Sequence, residues 1–150
     1  MRTLFLLVVA MMLAFSVTWA ADHMMVEPKE LKWEAMSALP PGAKAAVIEG
    51  PLNEAAPFIV RVKFPANYKV PAHWHPAIEH VTVLSGTLNM GIGDKLDTKK
   101  TKALSAGSVV IIPAKTNHFG WTKKATMVQT HGVGPWGITY VDPADDPRKK

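Results

Sequence analysis

Proline and glycine interrupt the chain roughly every ten residues from Pro40 onward, and no long stretch between them keeps the apolar period of a helix. The intervening segments are short and rich in Val, Ile, Thr and aromatic residues, as in the strands of β-sandwiches and barrels. The segments that this pattern predicts as strands are residues 31–36, 44–49, 58–64, 79–84, 87–92, 108–112, 118–122, 125–131 and 136–141. The sequence therefore predicts an all-β domain.

The alternation of side chains is clearest in residues 58–64. One face of this strand would carry Phe58, Val60, Val62 and Phe64. The other face would carry Ile59, Arg61 and Lys63. Because successive side chains of a strand point to opposite faces, the pattern predicts one face in the core and one toward solvent.

The first twenty residues have the features of a secretory signal peptide. Arg2 gives the positive start, residues 4–15 are an apolar run, and Thr18 and Ala20 are the small residues of a cleavage site. An uncleaved anchor is the alternative, but the run is shorter than the roughly 20 apolar residues of a spanning helix. We therefore expect residues 1–20 to be removed after Ala20. The mature domain would comprise residues 21–150, lack a stable membrane span and be periplasmic or secreted.

Charge and cysteine content exclude several classes of protein. Loss of Arg2, the one charged residue among the first twenty, lowers the net charge from +5 to +4, and the lysines are scattered. A nucleic-acid partner is not expected, because such proteins concentrate basic residues in a stripe with aromatic platforms. The chain has no cysteine, which excludes disulfides and thiolate ligands. Any metal would be held by His, Asp or Glu.

Residues 71–86 gather three histidines and a glutamate in a stretch that otherwise alternates like a strand. His73 and His75, two residues apart, would point the same way from extended backbone. Glu79 would begin the next strand with its carboxylate directed inward. A buried carboxylate without a partner costs several kcal/mol, and a bound cation removes that cost. The pattern indicates a metal site.

These residues, together with a second motif downstream, resemble those of the cupin superfamily. The first cupin motif, H-x-H, three or four residues, E, six residues, G, is matched by His73, His75, Glu79 and Gly86. The second, G, five residues, P-x-G-x-x-H, is matched by residues 107–118, which end at His118. The resemblance covers residues 58–131, and it is specific because two separate motifs agree in spacing and order.

The chain departs from the cupin pattern at two glycine positions. Asn67 stands where a glycine usually precedes the first histidine by six residues, and Lys115 replaces the glycine that follows the second motif's proline. Both are turn positions rather than ligands, and Asn tolerates glycine-like backbone angles. The departures therefore do not affect the expected metal site.

The resemblance implies a cupin-type double-stranded β-helix, a jelly-roll barrel, with one divalent transition-metal ion per chain. The implied ligands are His73, His75, Glu79 and His118. Three imidazoles and one carboxylate suit Mn(II), Fe(II), Co(II), Ni(II), Cu(II) or Zn(II), whereas Ca(II) or Mg(II) would need more oxygen donors. In the alternative interpretation the metal has been lost, and hydrogen bonds inside the barrel satisfy the histidines.

Several other residues have both a functional and a structural interpretation. His131, at a strand end, is a candidate general acid or base beside the metal, or a residue that is exposed or hydrogen-bonded locally. His80 has the parity opposite to Glu79, which favours a surface or interface position. Lys115 would attract an anionic substrate at the pocket rim or lie in solvent. The aromatic residues near the motifs would line a pocket or pack on the outer face; they are Trp74, Phe119, Trp121, Trp136 and Tyr140.

The resemblance implies two classes of function. The first is an exported, metal-dependent enzyme that acts on a small organic molecule, most simply a dioxygenase-like oxidoreductase, in which Glu79 remains a ligand or moves away to act as a base. The second is a non-catalytic module that binds a metal or a metal-bound ligand. Cupins are commonly dimers, so we also expect a homodimer in which residues 31–36 pack across a neighbour.

Overall fold

A computed structural model describes residues 23–150, so the predicted signal peptide at residues 1–20 lies outside the described residues. Residues 23–150 form eleven strands and three short 3-10 helices. The strands are β1 (Glu34–Ala35), β2 (Lys44–Glu49), β3 (Pro57–Phe64), β4 (Lys69–Trp74), β5 (Glu79–Ser85), β6 (Thr87–Ile92), β7 (Lys102–Ser105), β8 (Val109–Ile112), β9 (His118–Trp121), β10 (Thr126–Val133) and β11 (Thr139–Tyr140). The 3-10 helices are Pro28–Glu30, Pro143–Asp145 and Pro147–Lys149. In this part of the chain no helix is long and apolar enough to span a membrane.

The strands form two antiparallel sheets that pack face to face. The six-stranded sheet has the order β1-β2-β3-β10-β5-β8, and the five-stranded sheet has the order β11-β4-β9-β6-β7. One cluster of buried apolar side chains fills the space between the sheets, with contributions from both inner faces. This double sheet is the predicted all-β jelly-roll barrel of the cupin type, and the fold prediction is confirmed.

Strand β3 shows why these residues form a sheet. Its burial alternates as the sequence predicts: Phe58 and Val60 are at most 1% exposed, whereas Arg61 is half-buried and Lys63 is exposed on the other face. The strand lies between β2 and β10, so its inner residues are covered by the opposite sheet and its backbone is paired on both edges. The apolar face drives burial, and the pairing satisfies the backbone polar groups.

The structure differs from the predicted strands at β4 and at the sheet edges. Strand β4 lies between β11 and β9, where the sequence predicted only a short extended piece that carries His73 and His75. Strand β7 was not expected, because its mostly exposed residues lack an apolar face, and it pairs only with β6 at the edge of the five-stranded sheet. The strand predicted at 31–36 is reduced to Glu34–Ala35, and that at 136–141 to Thr139–Tyr140. In the second case the backbone N–H of Trp136 donates to the carbonyl of Leu52, which places Trp136 in a loop.

Strand β4 carries an irregularity that decides where its histidine points. Its register with β9 shifts between Val70, which pairs with Gly120, and His73, which pairs with His118. Val70 and His73 are three residues apart, so regular alternation would place them on opposite faces. Both are buried instead, because the irregularity reverses the alternation between them.

Candidate metal centre

Three imidazoles meet in the interior of the barrel. His73 comes from the end of β4, His75 from the residue that follows this strand, and His118 from the start of β9. They are exposed by only 6%, 2% and 2%, respectively, and each offers a nitrogen within 4.8 Å of those of the other two. Direct pairing of His73 with His118 across β4 and β9 brings together residues that are far apart in the sequence.

A backbone carbonyl oxygen fixes the orientation of each imidazole. The Nδ1 atoms lie at hydrogen-bond distance from the carbonyl oxygens of Pro71 (2.7 Å, from His73), Gly137 (2.7 Å, from His75) and Thr116 (2.9 Å, from His118). A carbonyl oxygen only accepts, so each Nδ1 carries a hydrogen and donates it. In a neutral ring the lone pair is then on Nε2, the atom that binds metals in such arrangements.

Glu79, the first residue of β5, is 5% exposed and uses its two carboxylate oxygens differently. Oε1 accepts hydrogen bonds from the hydroxyl of Thr130 (2.7 Å) and from Nε1 of Trp136 (3.0 Å). Oε2 lies 3.1 Å from Nε2 of His75 and 4.0 Å from Nε2 of His118. One oxygen is held by the protein while the other faces the imidazoles.

The carboxylate and the imidazoles alter one another's pKa. Burial alone would raise the pKa of Glu79, but the charge and hydrogen bond of His75, with the Thr130 hydroxyl, lower it to about 2. Burial also opposes the charged form of His75, yet the carboxylate outweighs it and raises the pKa. Burial and neighbouring imidazoles lower the pKa of His73 to about 3, and burial lowers that of His118. At neutral pH, two imidazoles therefore keep free lone pairs.

The contact between His75 and Glu79 tests whether these residues suit a cation. His75 donates through Nδ1 to a carbonyl, so its neutral ring would present an Nε2 lone pair to a carboxylate oxygen only 3.1 Å away. Two acceptors at this distance repel each other unless a proton or a metal ion lies between them. Apart from this contact with Glu79, Nε2 of His75 is buried without a hydrogen-bond partner among residues 23–150. The donor set therefore fits a divalent transition metal.

An apolar cavity adjoins the four polar side chains. It has a volume of about 70 Å³ for the centre of a water-sized molecule, which is several times the roughly 10–15 Å³ that one buried water needs. Apart from the imidazoles, Glu79 and Thr130, the lining consists of apolar residues and one glycine: Leu39, Val62, Phe64, Val70, Val81, Leu88, Met90, Gly120, Val128, Trp136 and Ile138. A small molecule in this cavity would lie directly beside a bound metal.

The structure does not bring His131 to this cluster. In β10 it alternates with Thr130, whose hydroxyl contacts Glu79 inside the barrel, so His131 faces outward. There its ring stacks on that of His80, the residue on β5 with which it pairs; the ring centroids are 5.1 Å apart and the interplanar angle is 19°. From this position His131 does not face the candidate ligands of the metal, so its suggested acid or base role gains no support from the structure. Half-buried His80 lies on the outer face, as its parity suggested.

The two substituted glycine positions adopt glycine-like backbone angles. Asn67 has φ of 57° and Lys115 has φ of 60°. The backbone N–H of Lys115 donates to the carbonyl of His75 (2.8 Å), so this turn supports the segment that carries an imidazole. The Lys115 side chain is exposed and does not line the cavity.

Sequence reasoning missed two residues that hold Glu79. The alternation of residues 126–130 places Thr130 on the face of Val128, which is a signal for burial but not for contact with Glu79. Trp136 was one of several aromatic candidates. The structure assigns it a hydrogen bond to Glu79 and a stacked contact with His75, with ring centroids 5.4 Å apart.

A family model supports the resemblance to cupins that the two motifs indicate. The Cupin_2 model, described as a cupin domain, matches residues 60–128, which include all four candidate ligands. Among curated proteins, none matches the sequence of this chain.

Solved structures share the fold at low sequence identity. The polyketide cyclase RemF from Streptomyces resistomycificus is 16% identical with a TM-score of 0.69, over 85% of this chain and 92% of that protein. A putative acetylacetone dioxygenase from Methylibium petroleiphilum PM1 is 16% identical with a TM-score of 0.65, over 87% and 89%. An oxalate oxidase is 23% identical with a TM-score of 0.58, over 83% and 67%. At this identity the likeness establishes the fold and not the reaction.

Proposed function

Because the chain belongs to the cupin superfamily, we propose that it is an exported enzyme that binds one divalent transition-metal ion and oxidises a small organic molecule. The observation that carries the proposal is the arrangement of three inward-facing imidazoles and one carboxylate oxygen beside an apolar cavity. This combination supplies a place for an ion and a place for a substrate next to it.

In this proposal the ion is held by Nε2 of His73, His75 and His118 and by Oε2 of Glu79. Four protein ligands leave positions free on a six-coordinate ion, and a bound transition metal supplies Lewis acidity and, for Fe(II) or Mn(II), redox chemistry. The two hydrogen bonds to Oε1 of Glu79 favour a carboxylate that stays in place as a ligand over one that swings away as a base. The protein's own contribution is to orient the donors and to exclude water.

Two observations support oxidation as the reaction. Two proteins of the same fold bear the names acetylacetone dioxygenase, there marked putative, and oxalate oxidase. Three histidines and one glutamate suit the metals that such oxidations use. Dimer formation through the N-terminal strands remains part of the proposal.

Oxygen uptake tests the proposal directly. Metal-free protein is reconstituted with Fe(II) or Mn(II), and O2 consumption is followed with acetylacetone, catechol or oxalate as probe substrates. We expect uptake that requires both metal and substrate, and that falls at least about 100-fold in Glu79→Gln, which removes the charge of the carboxylate ligand, and in His118→Ala, which removes an imidazole ligand. His131→Gln, on the outer face of the same barrel, is the matched control and should retain the wild-type rate.

Two results would contradict the proposal. Turnover at the wild-type rate in both ligand variants would place catalysis elsewhere. Stoichiometric metal binding without O2 consumption or product, across the probe set, would favour the non-catalytic binding module instead.

A further inference from the structure

The walls of the cavity carry almost no polar groups beyond those that face the expected ion. Among the described residues that line it, none is Lys, Arg, Asp, Asn, Gln or Ser. The hydroxyl of Thr130 is already donated to Glu79. A ligand in this cavity would therefore find polar partners only at the ion and its ligands.

Charge balance adds a second restriction. An imidazole binds a metal as a neutral ligand, whereas a carboxylate binds it as an anion. With the ligand Glu79 anionic and His75 deprotonated on coordination, a divalent ion leaves the site with one net positive charge. One ionised oxygen of a ligand balances this charge. A second anionic group, away from the ion, would be buried without a cation to pair with it.

We infer that the cavity selects a small ligand with one oxygen-bearing head, such as an enol or a phenol, and an uncharged apolar body, and that it discriminates against ligands with a second acidic group. This inference rests on the proposed metal site, and it names the substrate class that the site accepts. By this inference the substrates would be compounds such as β-diketones or phenols, and dicarboxylates and sugar acids would be excluded.

Met90 lies in the cavity wall, so its substitution can change which ligands the cavity prefers. It pairs across β6 and β9 with Gly120, while Ile92, two residues further along β6, pairs with His118. Met90 therefore lies about 7 Å along the strand from the level of His118, since two residues of a strand span this length. It lines the cavity and is only partly buried, so a longer polar side chain has a route toward solvent.

A matched pair of probes tests the inference through binding rather than turnover. Metal-free protein is first loaded with Zn(II), which is redox-inert, and its metal content is measured. The quenching of tryptophan fluorescence by 4-methylcatechol is then compared with that by 3,4-dihydroxybenzoate, which has the same metal-binding head and a carboxylate in place of the methyl group. We expect 4-methylcatechol to bind about tenfold more tightly or better, because only the second probe buries an unpaired charge. Measurement of zinc in the ultrafiltrate checks that neither probe removes the ion.

Substitution of Met90 provides the second arm. Met90→Lys adds a cation to the wall, so we expect the preference for 4-methylcatechol to shrink at least about threefold, through tighter binding of the carboxylate probe. Met90→Leu keeps the wall apolar and should retain the wild-type preference. Thermal unfolding of both variants verifies that they fold.

The outcomes separate this inference from the proposed function. Zinc-loaded wild-type protein that binds both probes equally, prefers the carboxylate, or binds neither would overturn the inference and leave the metal site intact. Failure to load zinc at all would overturn the proposed function, and the inference would fall with it. If Met90→Lys does not fold, the wild-type comparison alone still decides the result.

Discussion

The hydrogen bond from Thr130 to Glu79 can be removed without touching a candidate ligand of the metal. Thr130 is 3% exposed, and its hydroxyl donates to Oε1 of Glu79 over 2.7 Å. Thr130→Val replaces this hydroxyl with a methyl group of similar size. The carboxylate keeps its second donor, Nε1 of Trp136 at 3.0 Å, so the variant loses one of two hydrogen bonds rather than all support.

The expected cost follows from the charge and burial of the acceptor. A hydrogen bond to a charged group contributes about 1.5–3 kcal/mol to stability, compared with roughly 1 kcal/mol for a neutral pair. We therefore expect Thr130→Val to lower the free energy of unfolding of the metal-free protein by about 1.5–3 kcal/mol at pH 7. Thr130→Ser keeps the hydroxyl, so its free energy of unfolding should fall clearly less than that of Thr130→Val.

The same substitution should also change the dependence of stability on pH. Burial raises the pKa of Glu79, but His75 and Thr130 together lower it to about 2 in the folded protein, below its value in the unfolded chain. Such a group stabilises the fold above its unfolded pKa, and this contribution is lost as the pH falls toward the folded pKa. Without the Thr130 donor the folded pKa moves upward, so the loss of stability between about pH 4.5 and 2 becomes smaller.

Urea unfolding of the metal-free proteins, followed by circular dichroism, measures both effects. Thr82→Val is the matched control, because Thr82 lies on the outer face of β5 and is only half-buried; we expect a change within about 0.5 kcal/mol. In the background of Glu79→Gln, which removes the charge, Thr130→Val should cost only about 1 kcal/mol. Equal costs for Thr130→Val and Thr82→Val, or an equal cost with and without the Glu79 charge, would refute this reasoning.

Three further predictions concern a turn, the protonation of the site and export. At Gly86 (φ of 77°) an added Cβ would meet the hydroxyl of Thr126 at 2.6 Å, whereas at Gly107 (φ of 87°) it would meet nothing within 4 Å. We therefore expect Gly86→Ala to lower the free energy of unfolding, measured in urea, by about 1–3 kcal/mol more than Gly107→Ala does. Equal losses of stability would show that only the backbone angle matters. The raised pKa of His75 predicts that binding of Zn(II) displaces protons from this ring. Calorimetry in buffers of different ionisation enthalpy should show a release of at most one proton near pH 7 that decreases as the pH rises; release of three would mean that all the imidazoles start out protonated. The same raised pKa means that the His75 contribution to metal-free stability is full below the unfolded pKa and fades as the pH rises through the folded pKa. Mass spectrometry of exported protein should find Ala21 at the N-terminus, and an intact N-terminus would contradict cleavage.

The sequence predicted those parts of the fold that depend on short-range patterns. The alternation in β3 and the short apolar segments between turns were sufficient to predict an all-β domain, whereas the double sheet and the set of metal ligands were implied by the resemblance of the two motifs to those of cupins. Strand β7 was missed because an edge strand with exposed residues carries no apolar face. The irregularity in β4 was also not visible, since register is set by pairing with β9 and not by the strand's own residues.

The support around Glu79 could not be predicted for a related reason. Thr130 and Trp136 are 51 and 57 residues from Glu79 in the sequence, and only the pairing of β10 with β5 and the loop before β11 bring them to its carboxylate. His131 shows the converse case. Its chemistry suggested the metal site, whereas the alternation of β10, already evident in its sequence, places it on the outer face.

An anomalous-difference map from a crystal of the zinc-loaded protein is the most direct test of the central claim. The account predicts one strong peak per chain, about 2.0–2.2 Å from Nε2 of His73, His75 and His118 and from Oε2 of Glu79. Zinc that is bound stoichiometrically elsewhere, with no peak among these four side chains, would contradict it.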